Sequence, residues 1–274
     1  MPPPQLRPLS TGQILDTSLK IFTSHWWTFI RIVLYVVAPL ELVNALILGT
    51  ALDVNGSADS LTGGDTAVVV GAAIVAGLFA VVEQVLAASS CYRAVTDAYM
   101  GRTPEWSSSL RFALRRLGPV LWVTILTLFF TVLGLLGLIV GAIFLGVAFS
   151  VAIPVLVGED IRGLSALKRS YRLVKGRWWS TLGVLFLSAL LAGIVAAIIA
   201  GIIAGILGTG IDTASLGGSL FVNSIANIVA SLVTIPFGAA VLVVLYFDLR
   251  VRKEGLDIEM LAAGLDSEPV PPSA

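Results

Sequence analysis

Residues 118–157 form a run of 40 positions without one charged side chain. A single helix of that length would extend about 60 Å, twice the roughly 30 Å hydrocarbon core of a bilayer. The run therefore has to cross twice, and "GLLG" at 134–137 is the point where glycine allows a reversal. Composition points the same way. The 274 residues are 57% hydrophobic and only 12% charged, against about 25% charged in soluble domains. The expected fold class is an all-α integral membrane protein with six transmembrane helices as three hairpins. Spans are expected at about 26–50, 66–92, 118–134, 138–157, 178–207 and 220–247. Pro39 and Pro236 lie inside two of them and predict kinks, because proline removes a ladder hydrogen bond.

The first apolar stretch runs about 25 residues from near Trp26, too long for a signal-peptide core of roughly 7–15. It reads as a retained span. The expected organisation is a disordered, proline-rich lead over 1–9, one membrane domain over 10–254, and a short tail over 255–274.

Charge fixes the expected orientation. Formal net charge is zero, yet the 17 Lys and Arg fall on one side of the six-span arrangement. The N-terminal lead has Arg7 and Lys20. The loop after span two has Arg93, Arg102, Arg111, Arg115 and Arg116. The loop after span four has Arg162, Lys168, Arg169, Arg172, Lys175 and Arg177. The tail has Arg250, Arg252 and Lys253. Arg31 sits one turn into span one, within snorkelling reach of the same face. The alternate loops carry Asp53, Asp59, Asp65 and Asp212 and no base. By the positive-inside rule both termini are cytoplasmic.

Three of these basic stretches resemble one another: "SLKIFTSHWW" (18–27), "SLRFALRRLG" (109–118) and "SYRLVKGRWW" (170–179). Each opens with Ser, an apolar or aromatic residue, a base and another apolar residue, and each precedes a pair of spans. The expected unit is a short basic amphipathic interfacial helix followed by a hairpin, used three times. Ser10 and Gln13 have capping-box spacing for the first such helix, with Ile14, Ser18, Ile21 and Phe22 on one face. For the second, Thr103 is the expected cap, with Pro104 at the first helical position and Glu105 in the first turn. Its expected apolar stripe is Trp106, Leu110, Ala113, Leu114 and Leu117. For the third the stripe is Ile161, Leu164, Leu167, Tyr171 and Val174. Such helices would lie in the headgroup layer with bases toward anionic lipid. Lys20, Arg111, Arg115, Arg116, Lys168, Arg169, Arg172 and Lys175 are the expected anionic-lipid contacts. Membrane lipids, or a second membrane protein, are the expected partners. Nucleic acid is not one, because the bases lie at the membrane surface.

At "LSTGQILDTSLKIFTSHWW", "SALKRSYRLVKGRWWSTLG" and "YFDLRVRKEGLDIEML" the chain resembles bacterial, largely actinobacterial, proteins related to the membrane domain of glycerophosphoryl diester phosphodiesterase. The resemblance covers nearly the whole chain and implies a six-helix module of the bacterial plasma membrane. It implies no enzymatic activity here, because about 27 residues follow the sixth span and the soluble catalytic barrel of such phosphodiesterases would not fit there.

Two acids fall inside spans, Glu41 and Glu83. An ionisable group at that depth is a functional candidate by default. Measured from the cytoplasmic face they would lie about 22 Å and 13 Å deep, hence at different levels. The preferred reading is hydrogen bonding to Asn44, Gln84 or Asn227 that fixes packing. The alternative is a small transporter or channel, which requires Glu41, Glu83, Asn223 and Asn227 to line one polar cavity. "GLIVG" (137–141) and "GIIAG" (201–205) have the spacing that lets helices approach closely within the bundle. One histidine, His25, and one cysteine, Cys91, offer neither a multi-ligand zinc site nor a Ser/His/Asp triad. No cofactor and no catalytic residue is expected. The function expected is that of a non-enzymatic lipid-associated or partner-binding membrane module.

Overall fold

The computed structural model describes residues 8–54, 63–207, 209–211 and 216–255. Among them the chain is all-α: α1 Thr11–Ser24, α2 Trp26–Val54, α3 Gly63–Tyr99, α4 Trp106–Arg115, α5 Leu117–Gly134, α6 Leu138–Ala148, α7 Ala152–Glu159, α8 Leu164–Val174, α9 Trp178–Leu207 and α10 Leu216–Glu254. Six segments are long and apolar enough to cross a membrane: Trp26–Ala51, Ala67–Tyr99, Leu117–Gly134, Ile139–Glu159, Trp178–Leu207 and Gly218–Glu254. They pair as three hairpins, α2/α3, α5/α6–α7 and α9/α10, and the short helices α1, α4 and α8 precede them in turn. The loop residues Asp59 and Asp212, residues 1–7 of the lead expected to be disordered, and residues 256–274 of the expected tail lie outside the described residues.

The three short helices share one solution to burial. Ser18, Ser109 and Ser170, the residues that open the three sequence copies, are each fully buried. The apolar residue three places on, Ile21, Phe112 or Leu173, turns the same way and is buried or half-buried. The intervening Leu19 and Tyr171 are exposed, Leu110 is half-buried, and the bases Lys20, Arg111 and Arg172 are exposed. Each helix thus packs its Ser flank on the bundle and does not lay its whole apolar face on lipid. This shifts the expected stripe of α8. Ala166, Leu167, Ser170, Leu173 and Val174 are buried, while Leu164 and Tyr171 face outward. The small serine admits close backbone approach, which in lipid counts for more than apolar area, because the surroundings are as apolar as the core.

α1 begins where expected, with a complete capping box between Ser10 and Gln13. α4 does not. Its N-cap is Glu105, whose side chain makes no capping bond, and Thr103 and Pro104 precede the helix. The Glu105 carboxylate accepts from the Ser107 hydroxyl at 2.7 Å, so the local acceptor is engaged within the loop.

The reversal at 134–137 is one turn of 3-10 helix, Leu135–Gly137. It needs no left-handed glycine, since neither Gly134 nor Gly137 has positive φ. The glycine requirement is one of proximity. A methyl on Gly134 would lie 2.8 Å from the Gly141 carbonyl oxygen, and a methyl on Gly141 would strike the Gly134 carbonyl. Gly141 therefore meets Gly134 across the hairpin, whereas Gly201 and Gly205 meet nothing within 4 Å. The close approach expected of "GIIAG" within the bundle is not made.

α2 and α10 remain helical through Pro39 and Pro236. The interruption comes elsewhere, between α6 and α7, just ahead of Pro154. Proline lacks the amide hydrogen and crowds the carbonyl four residues back, here Ser150. The Ala152 amide bonds to Phe149 rather than to Ala148. The Ala148 carbonyl is taken instead by the Ser170 hydroxyl of α8 at 2.8 Å.

Burial is concentrated at the end of the bundle that carries the basic loops. Phe29 to Val37, Val85 to Tyr99, Val151 to Val157 and Phe237 to Val251 supply most of the core. Ala87, Ser90, Cys91 and Ala94 make α3 thin there, and Ala240, Val243 and Val244 of α10 are equally buried. Leu9, ahead of α1, is clasped by α10. Its amide donates to Asp248 Oδ1 at 2.7 Å, its carbonyl accepts from Arg252 Nη2 at 2.6 Å, and Arg252 Nε closes the set on Asp248 at 2.9 Å.

Candidate functional site

The expected polar residues do come together. Glu41 and Asn44 of α2, Glu83 and Gln84 of α3, and Asn227, Ser231 and Thr234 of α10 line one cavity of about 480 Å³. Ala80, Ala88, Gly238 and Ala239 add small side chains to its wall, and Tyr92, Ile235 and Leu242 larger ones. The three helices pack against one another pairwise, so the cavity lies between α2, α3 and α10, with Gln84 and Asn227 exposed at its rim.

The two acids, expected at different depths, line the same cavity. Span two was expected to end at residue 92, ahead of Arg93, but α3 continues to Tyr99. Arg93 stays inside the helix because it bonds Asp97 one turn on, at 3.0 Å.

The expected hydrogen bonds are also absent among the described residues: neither Glu41 nor Glu83 bonds Asn44, Gln84 or Asn227. The cavity holds these groups apart around a common space. Glu83 is buried, Glu41 and Asn44 are half-buried, and the Asn44 side-chain oxygen is buried without a partner. Such an oxygen in a nonpolar medium costs about 1–3 kcal/mol unless something occupies the site. Asn223 does not take part; its amide donates back to the Ser219 carbonyl at 2.8 Å on an exposed face. Ser231 and Thr234 were missed in the sequence because hydroxyls are ordinary in membrane helices. Their position one and two turns beyond Asn227 was the available signal.

The lining holds two carboxylates and no base. It can offer acceptor oxygens to a cation, or to a solute rich in N–H and O–H donors. It can also carry a proton between the two acids that share it.

The residues expected to contact anionic lipid divide into two groups. Arg169 is committed inside the protein. Its guanidinium forks onto Glu159 at 2.8 and 3.0 Å and onto Glu254, joining α7, α8 and α10. Tyr246 donates to the same Glu159 at 2.8 Å, and Arg250 Nε reaches Glu254 at 3.2 Å. The hydrogen bonds from Arg169 to Glu254 and Glu159 raise the guanidinium pKa further, so its charge is fixed. Arg116 pairs with Asp160, and Lys20 with Asp16 at 2.7 Å. The Arg116 hydrogen bond holds the Asp160 carboxyl below the usual carboxylate range. Lys168, Arg172 and Lys175 are exposed, and the Arg172 and Lys175 carbonyls receive the Lys253 ammonium at the end of α8. Arg111 and Arg115 are exposed on α4, beside Arg116. Sequence reading counted bases and overlooked that Asp160, Glu159 and Glu254 share their face.

A family model for a domain of unknown function, DUF8558, matches residues 112–267. The chain belongs to that family. The matched region runs from α4 through the second and third hairpins, so it includes the α10 wall of the cavity but not Glu41 or Glu83. No curated protein and no solved structure matches the chain.

Proposed function

We propose that this protein binds a small cation, or a proton, between α2, α3 and α10, as the binding step of a small transporter or channel. The observation that carries the reading is the shared cavity of Glu41 and Glu83, which Asn44, Gln84 and Asn227 also line. Buried carboxylates are expensive in a membrane, and purely structural ones would bond their neighbours. The setting proposed is the bacterial plasma membrane, with both termini cytoplasmic. The clustering of bases on one set of loops supports that orientation, and the three stretches resembling the phosphodiesterase membrane domain support the bacterial assignment. The chain is proposed to be non-enzymatic: the Ser24 hydroxyl does lie 2.9 Å from His25 Nδ1, but on an exposed junction between α1 and α2 with no carboxylate partner for the imidazole among the described residues.

The test is flux in vesicles. Purified protein reconstituted into pyranine-loaded liposomes should dissipate an imposed proton or potassium gradient at least tenfold faster than the Glu41→Gln/Glu83→Gln variant. Gln keeps the shape and hydrogen-bonding capacity, so the variant should fold and melt within about 0.5 kcal/mol of the parent. Flux no greater than in empty vesicles, for both gradients, would reject the reading.

A second reading has its own observation. Arg111, Arg115 and Lys168 project from the short helices without a carboxylate partner among the described residues, which supports a lipid-associated or partner-binding module. The two readings concern different residues and are compatible.

A further inference from the structure

Four arginines from two helices and the junction that follows them line a pocket distinct from the acidic cavity. Arg93 comes from the last turns of α3, Arg111 and Arg115 from α4, and Arg116 from the α4–α5 junction. With Glu105, Ser108 and Phe112 they line a concave pocket of about 480 Å³. The inner pair is fixed. The Arg93 and Arg116 guanidinium groups lie 5.2 and 5.0 Å from the Phe112 ring centroid, and each is tied to one carboxylate, Asp97 or Asp160. The outer pair is free to move. Arg111 makes one long contact, 3.5 Å to the Ser107 hydroxyl, and neither it nor Arg115 pairs with an acid among the described residues.

This arrangement opposes itself. Arg111 and Arg115 are one helical turn apart, a like-charge spacing that destabilises a helix, and Arg116 follows at once. The one acid in the lining, Glu105, is engaged by the Ser107 hydroxyl at 2.7 Å. Around the pocket six arginines (93, 102, 111, 115, 116 and 162) face three carboxylates (Asp97, Glu105 and Asp160), so positive charge is in surplus. An anion in the concavity would offset that surplus. Two anchored and two mobile guanidinium forks suit a tetrahedral phosphate, which offers oxygens in several directions, better than a planar carboxylate that one fork satisfies.

We propose that the pocket bounded by Arg93, Arg111, Arg115 and Arg116 is a phosphate-binding site. The phosphate belongs to an anionic phospholipid headgroup or to a small soluble phosphate. The lipid source fits the position of α4. Leu114, between Arg111 and Arg115 in sequence, is exposed, and α4 sits where α3 ends and α5 begins. Headgroup phosphates occupy that level of a bilayer.

Two probes separate the sources. Dioleoyl phosphatidic acid is added to the full chain in detergent and read by native mass spectrometry. Sodium phosphate is titrated into the same protein by calorimetry. Saturable phosphatidic acid binding should weaken at least tenfold in Arg111→Gln/Arg115→Gln. A Lys168→Gln/Arg172→Gln control, which removes equal charge from α8, should change it less than twofold. All four residues are exposed, so the variants keep the fold. Lipid binding with inert inorganic phosphate assigns the headgroup. Inorganic phosphate binding lost in the α4 variant assigns the soluble ligand. The proposal is overturned if neither probe binds saturably, or if both double variants weaken binding alike, since diffuse surface charge would then suffice.

Discussion

Ser18, Ser109 and Ser170 hold corresponding places in three helices, yet their hydroxyls meet different fates. The Ser170 hydroxyl fills the carbonyl of Ala148 that the break before Pro154 sets free. The Ser18 hydroxyl returns to the Ile14 carbonyl at 2.7 Å. The Ser109 hydroxyl is buried without a partner. Alanine at these sites therefore has opposite consequences. Ser170→Ala should cost about 1–3 kcal/mol by stranding a buried carbonyl. Ser109→Ala should be neutral or stabilising by up to about 1 kcal/mol, since it removes an unmet polar group. Equilibrium unfolding in mixed micelles measures both, and equal losses would contradict the assignment. Asp160 gives a second residue-scale test. It adopts the left-handed conformation at the end of α7, which Asp and Asn tolerate. Asp160→Asn thus removes charge while keeping the backbone. The Arg116 hydrogen bond depresses the folded-state pKa of Asp160, so its stabilisation is complete above the ordinary aspartate value of about 3.9 and fades as pH falls through the lower folded value. The variant should melt below the parent at pH 7, and the gap should close in strong acid.

At the scale of elements, the hairpin turn is where glycine matters most. Gly141→Leu would force side-chain atoms into the Gly134 backbone, which has no slack to yield. Overpacking of this kind costs about 1–3 kcal/mol. A matched Gly201→Leu change on α9, where a methyl meets nothing, should be near neutral in the same unfolding assay. The elements themselves were largely legible. Uncharged length called six spans, periodicity called the three short helices, and Ser10 with Gln13 called the α1 cap. What was not legible had physical causes. A charged residue does not end a membrane helix when a partner lies one turn on, as Asp97 does for Arg93. α2 and α10 stay helical through Pro39 and Pro236, whereas the break ahead of Pro154 leaves the Ala148 carbonyl to the Ser170 hydroxyl. The stripe of α8 was misread because a buried serine looks polar on any hydropathy scale.

On the scale of the whole molecule, the six segments, the shared acidic cavity and the one-sided bases all depend on the same path through the membrane. Single-cysteine labelling in a Cys91→Ser background tests that path. Glu105→Cys and Ser165→Cys should react from the same side, and Leu136→Cys, in the most exposed part of the turn, from the other; labelling of 105 and 165 from opposite sides would contradict the topology. The clasp of Leu9 by Asp248 and Arg252 joins the beginning of the chain to its last helix, 239 residues away for the first of these bonds. During synthesis the hairpins leave the translocon in order, and α10 leaves last. Until it does, α1 lacks its main packing partner, the acidic cavity lacks a wall, and Arg169 lacks one of its two carboxylates. Packing of the earlier hairpins thus waits on the last span, and a nascent chain halted before α10 would carry five spans in the bilayer and stay open to quality-control proteases.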